Sequence, residues 1–457
     1  MSFTEGLAKR LAAGGIRVNS LVGSPAREPN PRRAPSHDVE QPERPKLRDV
    51  LGPGLITGAS DDDPSGIATY AQAGAQFGYA LGWTLLLTYP LMCAIQMISA
   101  RIGRVTGRGL AGNMRRHYPA PLLYLVVGLL IVANTINIGA DLGAMAAALR
   151  LLIGGLTVFY IAAFALVTVL LEVFMRYSRY ASVLRWLTLS LLAYVGAVFA
   201  VGVPWLAVAR DLVLPHIEFS GGYLTVVVAV FGTTISPYLF FWQAGEEVES
   251  EKEDPAAKPL IKAPRQAPRE LARIQLDTLV GMGVSNIVAL FIMLTTAATL
   301  NAHGVKDIQT SAQAAEALRP IAGDFAFAIF ALGIIGSGML ALPVLAGSAA
   351  YAVGEALRWR VGLAQSPDRA KAFYATVAAA TLVGAALNFT PLDPIKALFW
   401  SAVINGVVAV PVMVIIMVMA MKKEVMGQFT LPMPLCVIGW LATLVMGAVV
   451  VALFATL

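Results

Sequence analysis

From residue 50 onward the chain is a succession of long apolar runs separated by short polar interludes. A membrane-spanning helix needs roughly 20 apolar residues. Eleven stretches read as such spans: 50–74, 80–100, 121–149, 155–172, 186–204, 222–245, 275–299, 325–354, 372–387, 397–421 and 434–456. Two of them are interrupted by proline in polar surroundings. The first reads GLITGASDDDPSGIATYAQAG and breaks at Asp63-Pro64-Ser65-Gly66; the sixth reads VVVAVFGTTISPYLFFWQAGEE and breaks at Ser236-Pro237. Each is the opening helix of a five-span half if spans 1–5 and 6–10 are repeats, and an odd number of spans per half inverts one half relative to the other. Interruptions at matching places in two such halves point to a transport site near the membrane midplane. The expected fold is all-α: a polytopic membrane protein of about 11 transmembrane helices, a five-plus-five inverted repeat with broken first and sixth helices. The domain reading is a disordered tail over 1–48 and a transmembrane domain over 49–456. That domain divides into a first repeat (49–205), a second repeat (222–421) and an extra helix (434–456).

Charge supports the spans and orients them. Of 34 Lys and Arg, 29 fall in the tail and in loops on the N-terminal side of the membrane, and five fall opposite. By the positive-inside rule the N-terminus is expected in the cytoplasm and the C-terminus outside. No Lys or Arg falls within a predicted span. Apolar residues make up 57% of the chain and charged residues 14%, against about 25% charged in soluble domains. That deficit excludes a soluble enzyme, a collagen, a disordered chain and a disulfide scaffold. The net charge of +6 follows membrane topology, so the lipid bilayer is an expected partner and nucleic acid is not; protein partners are not specified. Cys93 and Cys436 lie in apolar stretches and read as small buried hydrophobes rather than a disulfide. The segment 246–274 begins acidic and turns Pro-rich and basic; it reads either as a solvated linker or as an acidic mouth that attracts cations.

Asp61, Asp62 and Asp63 are the sharpest anomaly. One Asp at the centre of a span costs about 2.5–3.5 kcal/mol, and three ionised and lipid-facing would cost up to roughly 10 kcal/mol. No basic residue in a span can offset them, which leaves water, a helix dipole or a bound cation. Pro64 can start a new half-helix whose N–H groups favour a carboxylate. The half-helices ending near Ser60 and near Thr233 and Thr234 leave carbonyls free. Carboxylate, carbonyl and hydroxyl together describe a site for a hard cation. Asp61 and Asp62 read either as further ligands or as the lining of a hydrated vestibule. In the third span Asn134, Asn137 and Asp141 share one helix face, as a polar wall of an ion path or as interhelical hydrogen-bonding groups. All four histidines fall in loops or the tail, and no hydrolase or nucleotide-binding motif stands in a credible setting.

With the two broken helices in hand, the sequence resembles the Nramp family of divalent-metal transporters, which has a LeuT-like fold. The matching stretches are GPGLITGASDDDPSG with ATYAQAGAQFG (52–78), Gln96 to Gly107, GADLGAM (139–145), GTTISPYLFFWQ (232–243), and Arg273 with Asp277 and Thr278. The similarity covers about residues 50–425. The departures are informative. The family's first-span motif is Asp-Pro-Gly-Asn, so Asp63 is kept while Gly66 stands where the family has its asparagine ligand. The family's Met-Pro-His is Ser236-Pro237-Tyr238 here, a hydroxyl for a thioether and a phenol for the histidine linked to proton movement. The family's acidic residue three after the Asp141 position is Ala144, and its tenth-span glutamine aligns with Ala402.

Those losses share a direction. A thioether favours softer metals, whereas carboxylate, carbonyl, hydroxyl and water suit Mg²⁺ and Mn²⁺, and Mg²⁺ keeps several of its waters. The resemblance is to the divergent, Mg²⁺-associated branch. It implies an alternating-access carrier moving Mg²⁺ and/or Mn²⁺ inward across a bacterial-type inner (plasma) membrane, with proton coupling weak or absent. Asp63, the carbonyls of Ser60 and Thr233 and the side chain of Ser236 are the expected ligands. Asp61, Asp62, Gly66, Asn137, Asp141 and Tyr238 are expected along the ion pathway, with Pro64 and Pro237 as the helix breaks. No cofactor is expected, the cation being the substrate. The rival readings are a standard proton-coupled Mn²⁺/Fe²⁺ symporter and an amino-acid or organic-cation carrier on the same fold.

Overall fold

A computed structural model describes residues 53–174, 191–215, 217–390 and 393–456. The expected tail, most of the loop joining the fourth and fifth spans, and positions 186–190 of the fifth lie outside the described residues. Among the described residues the chain is helical, without strands.

The first span is two helices, α1 (Pro53–Asp61) and α2 (Pro64–Phe77), followed by α3 (Gly82–Thr106), a short α4 (Leu110–His117), α5 (Ala120–Ile153), α6 (Thr157–Phe174) and α7 (Leu192–Ala200). A surface helix α8 (Trp205–Val213) precedes the sixth span, again two helices, α9 (Gly221–Thr234) and α10 (Pro237–Glu253). Then come α11 (Ala267–Thr299), the short α12 (Ser311–Glu316) and α13 (Arg319–Ala322), α14 (Ala326–Leu357), α15 (Lys371–Leu387), α16 (Pro394–Met421), the short α17 (Lys423–Met426) and α18 (Met433–Thr456). Among the described residues, eight helical segments are long and apolar enough to cross a membrane, with α2 and α3 forming one of them; α15 is apolar but shorter.

Both breaks arise from local chemistry. Proline lacks an N–H and its ring collides with the carbonyl four residues back, so it favours the first turn of a helix, although Pro90, Pro343 and Pro411 stand inside α3, α14 and α16. The residue before it is pushed to extended backbone. Asp63 (φ −69°, ψ 168°) and Ser236 (φ −83°, ψ 131°) are those residues, and Pro64 and Pro237 open α2 and α10. Asp63 caps α2 by accepting from the Gly66 N–H at 2.6 Å.

The packing is reciprocal between the halves. The first span (α1 and α2) lies against α11, the seventh; the sixth (α9 and α10) lies against α3, the second. Likewise α5 packs on α6 and α14 on α15, and α5 and α14 cross at the centre. The extra helix α18 lies outside this arrangement against α3, α9 and α16. Several helix crossings bring backbones into contact; for example, a Cβ at Gly58 would strike the backbone of Gly281, and one at Gly232 would strike Ala402 and Gly406. Small residues at such crossings are how membrane helices gain packing energy without a hydrophobic drive.

The segment 246–274 matches neither expectation throughout. Its acidic half continues α10 to Glu253; Glu247 and Glu251 are drawn into ion pairs, while Glu253 and Asp254 are exposed. Glu247, 0% exposed, pairs with Arg273 of α11; Arg104 of α3 reaches Glu251 at 3.2 Å, Glu270 at 3.3 Å and the Lys258 carbonyl at 2.7 Å. The result is a clamp joining α3, α10 and α11. Both cysteines are free, Cys93 buried and Cys436 half-buried.

Candidate ion-binding site

Asp63 sits between the two breaks. Its Oδ1 accepts from the Gly66 N–H, and its Oδ2 accepts from Asn137 Nδ2 of α5 at 3.0 Å and from the Tyr238 hydroxyl of α10 at 3.4 Å. That hydroxyl also lies 3.4 Å from the Ser60 carbonyl at the end of α1. A second bridge between the broken spans runs from Thr57 Oγ1 to Gln243 Oε1 at 2.5 Å. A carboxylate offers about four lone-pair directions; three protein donors occupy this one, and a cation would displace one or add to the shell.

Around it the expected residues divide into those the structure joins to Asp63 and those it turns elsewhere. Gly66 is joined: a Cβ there would stand 3.1 Å from Thr233 Oγ1, 3.3 Å from the Asp61 carbonyl and 3.4 Å from Asp63 Oδ1. The absence of a side chain at 66 therefore brings the Thr233 hydroxyl up to the break. Ser236 instead donates into its own preceding turn, to the Gly232 carbonyl at 2.7 Å and the Thr233 carbonyl at 2.9 Å. Its hydroxyl proton is thus directed away and its lone pairs remain as acceptors. Asp61 and Asp62 share the Ser285 hydroxyl of α11, at 2.7 and 3.1 Å. Neither carboxyl oxygen of Asp141 has a hydrogen-bond partner among the described residues. Asn134 turns to α14, donating to the Leu345 carbonyl and Ser348 Oγ, both at 2.8 Å.

Ser285 and Ser401 escaped the sequence reading. Ser401 Oγ of α16 donates to Asn137 Oδ1 at 2.7 Å, which orients the amide so that its Nδ2 faces Asp63. A single serine in an apolar helix carries no signal of its own, since most such hydroxyls bond the preceding turn.

Asp61, Asp62, Asp63 and Asp141 are 1, 6, 2 and 0% exposed. Among the described residues no Lys, Arg or His pairs with any of them. Four buried carboxyl groups without a cationic partner among the described residues thus lie in and beside the break of the first span. A profile described as Nramp, natural resistance-associated macrophage protein-like, matches residues 54–456. The chain belongs to the Nramp family. It is a transporter rather than an enzyme.

A relative named divalent metal cation transporter MntH, from Burkholderia ambifaria, is 27% identical over 413 residues, covering 87% of each chain. The MntH of Yersinia pestis is 27% identical over 308 residues, covering 64% of this chain and 68% of that one. Among solved structures, the Eremococcus coleocola manganese transporter in complex with an aromatic bis-isothiourea substituted compound superposes with a TM-score of 0.70 at 18% identity, over 92% of this chain and 89% of that one. Mhp1, a nucleobase-cation-symport-1 family transporter, in a closed conformation superposes at 0.54 and 13% identity, over 89% and 92%. These two likenesses show a shared fold.

Proposed function

We propose that the protein is an alternating-access carrier for a hard divalent cation, Mg²⁺ and/or Mn²⁺, moved inward across a bacterial-type plasma membrane with the N-terminus in the cytoplasm. The observation that carries this reading is the Asp63 carboxylate, buried between two broken spans, hydrogen-bonded to both halves of the molecule and without a basic partner. Asp63 is the anionic ligand. The carbonyls of Ser60 and Thr233 and the lone pairs of Ser236 complete a partly hydrated shell, while Asp61, Asp62 and Asp141 shape the approach. An oxygen-only donor set suits Mg²⁺ and Mn²⁺ over softer metals, and a dication supplies the charge that no side chain in the pocket does. The names of the MntH relatives support a divalent cation as cargo.

The arrangement also fits alternating access. The site is buried, and its contacts cross from α1 and α2 to α10 through single hydrogen bonds such as Tyr238–Asp63. Such bonds contribute about 0.5–1.5 kcal/mol each, so they can be exchanged as one half rocks against the other. Proton coupling is weak, because no imidazole stands where the family's Met-Pro-His motif has one. The test is metal uptake into proteoliposomes with Mg²⁺, Mn²⁺ and Ca²⁺ in competition while internal pH is recorded. Saturable Mg²⁺ or Mn²⁺ uptake without acidification supports the reading. Uptake that acidifies the lumen in proportion to metal supports the proton-coupled symporter, in which Asp63 or Asp141 carries the proton.

A further inference from the structure

Away from the central site, a cavity of about 580 Å³ lies where the end of α3, α4, α10 and the end of α14 meet. Five cationic side chains line it: Arg108, Arg115, Arg116, Lys252 and Arg358. None of the five forms an ion pair among the described residues. One carboxylate, Glu355, faces them, and its oxygens are engaged elsewhere: Oε1 accepts from the Gly109 N–H at 2.7 Å and Oε2 from the Gly112 N–H at 2.9 Å, which ties it to the first turn of α4. Glu249 and Glu251 draw on Lys252 from its own helix, so the four arginines define the character of the cavity. Trp359 completes the wall.

Backbone conformation supplies a second, independent sign. Arg358 ends α14 with φ 65° and ψ 30°, and it is the one non-glycine residue with positive φ among those described. A helix C-terminus in this left-handed conformation normally takes glycine, because a Cβ is crowded there. Strain held at one position is informative when the side chain has something to do, and this side chain is a guanidinium on the cavity wall.

We propose that this cavity binds a phosphate-bearing anion carrying at least two negative charges. That chemistry is shared by an anionic phospholipid headgroup and a soluble polyphosphate. Guanidinium forks match phosphate oxygens two at a time, and basic pockets between helices at the cytoplasmic end of membrane proteins take such groups. On the orientation proposed above, with the N-terminus in the cytoplasm, the cavity lies at that end. A ligand there bridges α10, the second half of the broken sixth span, to α4 and α14.

The experiment measures binding to the purified full-length protein in two arms, inorganic pyrophosphate by titration calorimetry and cardiolipin by thermal shift in phosphatidylcholine nanodiscs with and without it. Wild type binds at least one probe. Removing one arginine, by Arg358→Gly or Arg116→Ala, weakens that binding about fivefold, equivalent to ~1 kcal/mol per cation; Arg369→Gln, an exposed charge outside the cavity, leaves it unchanged. Binding of pyrophosphate assigns the site to a soluble ligand, and binding of cardiolipin alone assigns it to lipid. Arg358→Gly separates function from folding: glycine relieves the strained backbone, so the unliganded variant melts no lower than wild type while its ligand-induced shift falls. No binding of either probe, or equal weakening by Arg369→Gln, overturns the proposal.

Discussion

The Tyr238 hydroxyl of α10 donates to Asp63 Oδ2 and also touches the carbonyl of Ser60. One phenol thus stands 3.4 Å from two of the oxygens expected to ligate the ion. For a cation to reach Oδ2 that contact must be given up, so the phenol competes with the substrate. Tyr238→Phe removes the competitor while keeping the ring that fills the core. The expected outcome is a KM for Mg²⁺ about two- to tenfold lower, from a bond worth about 0.5–1.5 kcal/mol, with little change in melting temperature. Uptake kinetics in proteoliposomes check it. A higher KM would mean that the hydroxyl belongs to the ion's shell.

Ser236 stands where a thioether stands in the family motif, and its hydroxyl donates to Gly232 and Thr233 rather than to Asp63. Ser236→Met introduces a soft donor at the second break. Selectivity is expected to move toward Mn²⁺ and Cd²⁺ and away from Mg²⁺, read as the ratio of uptake rates under competition. An unchanged ratio would remove Ser236 from the shell.

Glu247 has no exposure, and Arg273 supplies its compensating charge. Arg273→Ala leaves that carboxylate buried and unpaired, a loss of up to about 3–5 kcal/mol for a buried pair. A large drop in melting temperature in detergent is expected. The double variant Arg273→Ala with Glu247→Gln should recover part of it, because no uncompensated charge remains.

Gly58 and Gly281 bring α1 and α11 together backbone to backbone. Gly58→Ala forces them apart, with a cost of about 1–3 kcal/mol typical of overpacking. Because α1 carries Ser60 and leads into Asp63, transport should fall along with thermal stability. Gly128→Ala, at a position with open space around a Cβ, serves as the matched control and should change neither.

The breaks were legible in the sequence because proline and a run of aspartates are costly in an apolar helix, and that cost demands a purpose. The long spans were legible from hydrophobicity alone. The fate of 246–274 was not, since Arg104 and Glu251 are far apart in sequence and only the packing of α3 on α10 brings them together. The supporting hydroxyls of Ser285 and Ser401 were equally silent. A serine in a span looks the same whether it bonds its own helix or holds an aspartate on another one, and Ser401 does both, donating to the Leu398 carbonyl as well as to Asn137. Gly66 reads as a lost ligand, and its bare backbone leaves room for the Thr233 hydroxyl beside the break, which no sequence signal shows.

The most direct measurement is divalent-cation flux into proteoliposomes reconstituted with Asp63→Ala, beside wild type at matched protein incorporation. With the carboxylate gone, saturable Mg²⁺ and Mn²⁺ uptake should fall to the level of protein-free vesicles while the variant remains folded. Flux that persists at the wild-type rate would mean that the ion passes without Asp63, and the carrier site described above would not be the site of transport.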